Sequence, residues 1–173
     1  MKRILLSLLA LAYVSIGFAQ EGEPSKAPLA TDNFKASFNI GTTAGEEIAR
    51  NQYGVNLGFE FSYYYRVSKH FIVGPSVGAT HIFKKGNRRD NSDLKTETKF
   101  AHLGGGFRLY TDNNKFFIGG DAGYAYGLDD GGFYYKPKIG VSINKHSGII
   151  LTYTDVDDTF DYTYVSIGYE FSF

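Results

Sequence analysis

Seven charged residues stand among uncharged neighbours in the strand-like part of the chain, and they are the first candidates for chemistry. Opposite charges inside a protein either form fixed ion pairs or exchange partners and let small solutes pass. A lone buried charge is costly, and the interior of a small barrel is just wide enough for side chains to fill it. We therefore favour a structural role and keep a narrow pore as the alternative. The seven residues are Lys35, Glu60, Arg108, Asp121, Lys136, Lys138 and Glu170.

Histidine and serine residues give the second candidate chemistry, which is hydrolysis by a converging Ser, His and carboxylate. His146 and Ser147 are adjacent, but they lie in a predicted turn. His81 has no evident Ser and acid partner on its face, and His70 and His102 are predicted to be isolated. The chain has no Cys, which excludes a thiolate nucleophile and a Cys-ligated metal. We predict that the protein is not an enzyme and holds no metal or cofactor.

Composition and the first residues indicate an exported protein. The 18 basic residues are balanced by 18 acidic ones, and this argues against nucleic-acid binding, which needs a basic surface. Residues 1–19 have a basic start at Lys2 and Arg3, a short apolar run and Ala19 at a cleavage position, as in a signal peptide. Residues 20–33 contain two Pro and few apolar residues, which predicts a disordered lead-in to a domain at 34–173.

From residue 34 onward, apolar residues recur with a period of two, which is typical of β-strands. Tight turns rich in Asn, Asp and Ser alternate with longer connections. The pattern predicts an all-β, eight-stranded antiparallel up-and-down barrel. The predicted strands cover 34–43, 52–65, 70–83, 97–110, 116–127, 133–143, 148–156 and 162–173.

Every predicted strand has one apolar face and one face of Gly, Ser, Thr and charged residues. A secreted soluble lipocalin-like barrel would bury the apolar face, whereas a membrane barrel turns that face towards lipid. We favour the membrane barrel because Gly and paired charges suit a narrow lumen and the strand number is even. Tyrosines near strand ends predict an interfacial girdle. They are Tyr63, Tyr64, Tyr65, Tyr124, Tyr126, Tyr134, Tyr135, Tyr162 and Tyr164.

The face assignment also predicts which interior charges pair and where strand pairing is disturbed. Pro75 and Pro137 lie inside predicted strands and lack the N–H group that a ladder needs, so we expect a bulge or distorted pairing near one or both. The expected ion pairs are Lys35 with Glu170 near the periplasmic end, Asp121 with Lys138 at mid-depth, and Glu60 with Arg108 across the lumen.

The stretch SIGYEFSF at 166–173 has a polar residue, a Gly two positions later, and aromatic residues at the third-from-last and last positions. In this, and in the pattern of its strands, the chain resembles the small eight-stranded outer-membrane barrels of the OmpX and OmpA transmembrane-domain type. The resemblance implies that the barrel-assembly machinery recognises this stretch. Its residues in the assembly signal are Ser166, Gly168, Phe171 and Phe173.

These observations predict a monomeric protein of the outer membrane that is surrounded by membrane lipids and makes contacts through its outer loops. A basic cluster in one long connection is a candidate contact for lipopolysaccharide phosphates. It consists of Lys84, Lys85, Arg88 and Arg89.

Overall fold

The computed structural model describes residues 33–44, 53–84, 97–127, 131–157 and 162–173, without the side chains at 53, 84, 97 and 98. The predicted signal peptide at 1–19 and nearly all of the lead-in at 20–33 lie outside these residues. None of the described segments is a helix long and apolar enough to cross a membrane. The described residues form nine strands: β1 (Phe34–Thr43), β2 (Tyr53–Tyr63), β3 (Tyr65–Arg66), β4 (Phe71–Lys84), β5 (Glu97–Tyr110), β6 (Phe116–Tyr126), β7 (Gly132–Asn144), β8 (Ser147–Asp157) and β9 (Tyr162–Ser172).

The strands form one closed antiparallel sheet. Apart from β2 and β3, which both pair with β4, each strand pairs with the next along the chain. β1 pairs with β9 from Lys35–Ser172 to Thr43–Tyr164, which closes the ring. From Asn56 onward, β2 pairs with β4 in one register and β3 continues that register, so β2 and β3 together make one side of the wall. The barrel therefore has eight strands around its circumference, and the predicted fold class is confirmed.

The two faces of the wall have opposite characters, as the period of two requires. Large apolar side chains from all eight sides point outward with 36% to 62% of their surface exposed. The side chains between them, mostly polar or charged, point inward and are buried. This is the reverse of the arrangement that a soluble barrel with an apolar cavity needs.

Both prolines coincide with gaps in strand pairing. The ladder between β4 and its β2–β3 neighbour has no pairs at Gly74 and Pro75, where β2 ends and β3 begins. The β7–β8 ladder likewise lacks pairs at Lys136 and Pro137. The predicted distortion is confirmed at both sites. Its physical cause is that proline has no N–H group to donate to the neighbouring strand.

The two ends of the barrel differ. At one end, which we call the turn end, tight turns connect β3 to β4, β5 to β6 and β7 to β8. In the second of these turns, Asn114 has a φ of 53°, and Thr111 N–H donates to the carbonyl of Phe116 at 3.0 Å. Asn tolerates this left-handed conformation well, which fits the tight turns rich in Asn that the sequence predicts. The other end, the loop end, is where the strands join the longer connections.

Candidate functional site

The interior of the barrel is occupied at three successive levels, and the seven predicted interior charges lie in the first two. Nearest the turn end is an arginine layer around Arg108. A central charged cluster surrounds Glu60. An apolar cluster at the loop end contains Ile82, Phe100, Ala125, Tyr134, Val156, Tyr162 and Tyr164.

Arg108 is completely buried and spans the lumen. It extends from β5 towards β9, which lies four strands away around the closed sheet and is thus directly opposite. Its two terminal nitrogens donate to the carboxylate oxygens of Glu170 at 2.7 and 2.5 Å. Its guanidinium lies between the rings of Tyr64 and Phe117, at 4.7 and 4.4 Å from their centroids. A bidentate ion pair held between two aromatic rings fixes the side chain in place.

Lys35 joins this layer from β1. Its Nζ atom lies 3.9 Å from Glu170 Oε1 and donates to Ser172 Oγ at 2.6 Å. In the register, Glu170 faces Ser37 and Lys35 faces Ser172, so the two charged groups meet diagonally on the same face. The structure thus brings together the expected Lys35–Glu170 pair.

The central charged cluster also crosses the lumen. Glu60 lies on β2, directly opposite β7 in the ring. Its carboxylate accepts a hydrogen bond from Lys136 Nζ at 2.7 Å and another, short one from Lys138 Nζ. Lys138 Nζ also lies 2.5 Å from Asp121 Oδ2 on the adjacent β6, which is the expected pair. Two carboxylates therefore balance two ammonium groups, all of them buried.

The expected pairing of Glu60 with Arg108 is wrong. The strands that carry them, β2 and β5, are separated only by β4, so both side chains start from the same side of the lumen. A long side chain that crosses a narrow barrel meets the opposite wall instead. Each residue accordingly pairs with a partner four strands away.

Two histidines that were expected to be isolated have partners. His102 is buried in the central cluster, with its Nε2 atom 3.5 Å from Glu60 Oε2 and 3.1 Å from Lys136 Nζ. His70 lies in the first tight turn, with Nε2 at 3.0 Å from Asp112 Oδ1 in the next turn. Turns that are distant in sequence become neighbours at one end of the barrel, and this brings the His70–Asp112 pair together.

The other two histidines, His81 and His146, lie at opposite ends of the barrel. His81 stacks on Phe83 with 4.1 Å between ring centroids. His146 lies in the β7–β8 turn, where its Nδ1 atom is 3.3 Å from the backbone oxygen of Ser172. Among the residues that the structure describes, no group of three or more His, Cys, Asp or Glu side chains could hold a metal ion.

A small polar cavity adjoins the central cluster. Its volume is about 10 Å³, roughly the space that one water molecule needs. Ser166 Oγ donates to Asn56 Oδ1 at 2.8 Å in its wall, and the hydroxyls of Thr80 and Tyr164 are 3.3 Å apart. A cavity of this size does not connect the two ends of the barrel.

The tyrosines divide between the two faces. Four of the nine predicted girdle residues point inward and are buried, because a residue next to an outward-facing one must face the interior. They are Tyr64, Tyr134, Tyr162 and Tyr164. The other five, Tyr63, Tyr65, Tyr124, Tyr126 and Tyr135, are exposed on the outside.

The residues of the predicted assembly signal also occupy both faces. Ser166 is buried inside, and Gly168 faces the interior, where an added Cβ would lie 2.0 Å from Asn39 Oδ1. Phe171 and Phe173 are exposed outside. Four residues were predicted to contact lipopolysaccharide. Lys84 is the last residue of β4, and its side chain is not described. Lys85, Arg88 and Arg89 lie outside the described residues.

Comparison with known proteins supports the fold. No family model and no curated protein matches the chain. Among solved structures, the chain is similar to the Yersinia pestis outer membrane protein Ail in a phospholipid bilayer nanodisc, with 15% identity and a TM-score of 0.52 over 80% of this chain and 99% of Ail. It is also similar to a de novo designed transmembrane β-barrel, with 12% identity and a TM-score of 0.51 over 82% of this chain and 96% of the design. The chain thus has the fold of the small transmembrane β-barrels, as its resemblance to that group implied.

Proposed function

We propose that this chain is a non-enzymatic, monomeric integral outer-membrane barrel whose interior is structural and whose contacts are made at the loop end. The observation that carries the proposal is the combination of an apolar outer wall with buried ion pairs across the lumen. Contiguous exposed apolar patches on soluble monomers rarely exceed a few hundred Å². Here, outward apolar side chains surround the whole barrel, and a lipid bilayer is the environment that they fit.

The distribution of charge on the outer wall supports a bilayer. The described charged side chains on the strands' outer face lie at the loop end, at Lys99, Asp155 and Asp157. Between them and the turn end, β5 presents only apolar residues and Gly105 outward. One Lys or Arg at mid-depth would cost about 2–4 kcal/mol in lipid. A cost of this size would exclude charged residues from the middle of the outer wall, as the apolar faces of the predicted strands indicate.

The filled lumen favours a structural interior over a pore. Arg108 and Glu170 bridge the lumen near the turn end, and Glu60 bridges it centrally. Buried residues of the apolar cluster lie at the loop end. Solute passage would require these buried pairs to break, which is costly in a low-dielectric interior. We expect no conductance in planar bilayers. A steady conductance that changes in a Glu60→Gln variant would support the pore instead.

The contacts outside the barrel follow the same proposal. Recognition by the barrel-assembly machinery would use Ser166, Gly168, Phe171 and Phe173. Phe171 and Phe173 are accessible from the outside of the wall, whereas Ser166 and Gly168 serve packing inside. Lys84, Lys85, Arg88 and Arg89 are the candidates for contact with lipopolysaccharide.

Membrane fractionation combined with a gel-shift assay tests the proposal. We expect the protein in the outer-membrane fraction, extractable only with detergent, and migrating differently before and after boiling. A water-soluble folded monomer would overturn the proposal. A Leu103→Lys variant places a charge at the middle of the outer wall, where Leu103 is 55% exposed. It should insert poorly if that wall faces lipid.

A further inference from the structure

The turn end of the barrel carries an excess of exposed positive charge. Four cationic side chains project from its three turns and their borders: Arg66, Lys69, Lys115 and Lys145. We call these residues the cationic rim. Asp112 is the one carboxylate among the described residues of these turns. At the loop end, by contrast, the described charges of the outer face are Lys99, Asp155 and Asp157.

Each turn places a cation next to the edge of the apolar wall. Lys115 directly precedes Phe116, which is 54% exposed, and Lys145 follows Ile143, which is 57% exposed, by two residues. Lys69 similarly follows Val67 by two residues. Since a strand rises about 3.3 Å per residue, the backbone of each cation lies within roughly 3–7 Å of the last outward apolar residue. Lysine side chains at such positions extend their ammonium groups to the level of lipid headgroups.

Most of this charge is not neutralised by the described part of the protein. Asp112 Oδ1 lies 3.6 Å from Lys69 Nζ, and the Asp112 side chain is 89% exposed. Arg66 donates to the backbone oxygen of Lys69 at 3.0 Å, which holds the guanidinium at the rim and leaves its charge in place. Lys115 and Lys145 are exposed, with no carboxylate partner among the described residues.

We propose that the cationic rim binds the phosphate groups of anionic phospholipids in the leaflet on the turn side of the membrane. The proposal rests on the proposed function, because it requires that the outer wall be in a bilayer. Each Lys or Arg close to an anionic surface favours anionic lipid by about fivefold. The attraction decreases with salt, because exposed charges are screened over about 10 Å at 0.1 M ionic strength.

The test uses the folded full chain in vesicles made of equal parts of phosphatidylcholine and phosphatidylglycerol. Spin-labelled forms of the two lipids report their relative association with the protein. For the wild type, we expect preference for phosphatidylglycerol, by about fivefold or more, and a decline of this preference as salt is added. In the triple variant Lys69→Gln, Lys115→Gln, Lys145→Gln, the preference should fall clearly below that of the wild type. In that variant Arg66 is offset by Asp112, and the cations at the loop end are unchanged.

Lys99→Gln is the matched control, since it removes an exposed cation from the opposite end of the outer face. It should keep the wild-type preference. Equal preference in the wild type and the triple variant, or loss of preference in Lys99→Gln alone, would overturn the proposal. The boiled-versus-unboiled gel shift separates two failures. A chain that does not fold into the vesicles contradicts the proposed function, whereas a folded barrel without lipid preference contradicts only the cationic rim.

Discussion

Gly104 and Gly105 are neighbours on β5 that face opposite sides of the wall, and they offer a matched test of the structure. A Cβ atom added at Gly104 would lie 2.3 Å from the backbone oxygen of Ala122 and 2.5 Å from the hydroxyl of Tyr134. At Gly105, the nearest atom to an added Cβ is the backbone oxygen of Gly74, at 3.9 Å. We therefore expect Gly104→Ala to destabilise the barrel and Gly105→Ala to be tolerated.

The size of the difference follows from these distances. Ordinary contacts of Cβ atoms begin at about 3.4 Å, so an Ala at 104 would come about 1 Å too close to the backbone of β6. That backbone is held by its ladder and cannot move cheaply, and such overpacking costs about 1–3 kcal/mol. Both substitutions also reduce the freedom of the unfolded chain, a gain of about 0.4–1 kcal/mol that cancels when the two variants are compared. The difference in the free energy of unfolding should therefore be about 1–3 kcal/mol.

Equilibrium unfolding in urea, with the barrel reconstituted in lipid vesicles, measures this difference. Circular dichroism follows the strands, and the gel shift reports the folded fraction. Gly104→Ala should unfold at lower urea than the wild type with an unchanged slope, and Gly105→Ala at the same or higher urea. If Gly105→Ala were the less stable of the two, the assignment of faces along β5 would be refuted.

Three further results are expected. Glu60→Gln removes the carboxylate from two buried ammonium groups and should cost about 3–5 kcal/mol of unfolding free energy, seen as a lower urea midpoint. Leu103→Lys should cost about 2–4 kcal/mol in vesicles, measured in the same titration. In the exposed turn, the hydrogen bond from His70 and the nearby positive charge lower the pKa of Asp112. Any stability from this contact is present at neutral pH and is lost as the pH falls through the lowered pKa. An NMR titration should show a higher Asp112 pKa in His70→Ala.

The strands and their faces could be predicted from the sequence. In a membrane barrel, apolar residues that face lipid alternate strictly with residues that face the lumen. The predicted strand at 97–110 coincides with β5, and the one at 34–43 coincides with β1. Along β5, apolar side chains at alternate positions face out, while His102 and Arg108 between them face in. The period of two carries this information locally, so no knowledge of the partner strands is needed.

The inward tyrosines were missed because residue type was given more weight than position in the strand. Tyr134 precedes Tyr135 and must therefore point to the opposite face. Tyr64 lies between two outward tyrosines and is 1% exposed. The predicted girdle grouped adjacent tyrosines together, although the period of two already separated them.

Partners across the lumen were missed for a different reason. In a closed barrel of eight strands, each strand lies opposite the strand four positions further around the ring. If β2 and β3 are counted as one strand, β2 therefore faces β7 and β5 faces β9. That rule would have paired Glu60 with Lys136 and Lys138, and Arg108 with Glu170, from the strand order alone. The expected Glu60–Arg108 pair came from charge complementarity without this geometry.

The ion pairs across the lumen occupy the interior of the barrel, and they also specify the register in which its strands pair. Arg108 and Glu170 are 62 residues apart in sequence, and Lys136 and Glu60 are 76 apart, so each pair fixes the relative position of distant strands. A slip of one residue would turn a charge towards lipid, at about 2–4 kcal/mol for a Lys or Arg at mid-depth. A slip of two residues would keep the faces but move the partners apart by about 7 Å. The outer wall, where one apolar residue can replace another, offers no such discrimination, so the interior charges are the residues that select one register.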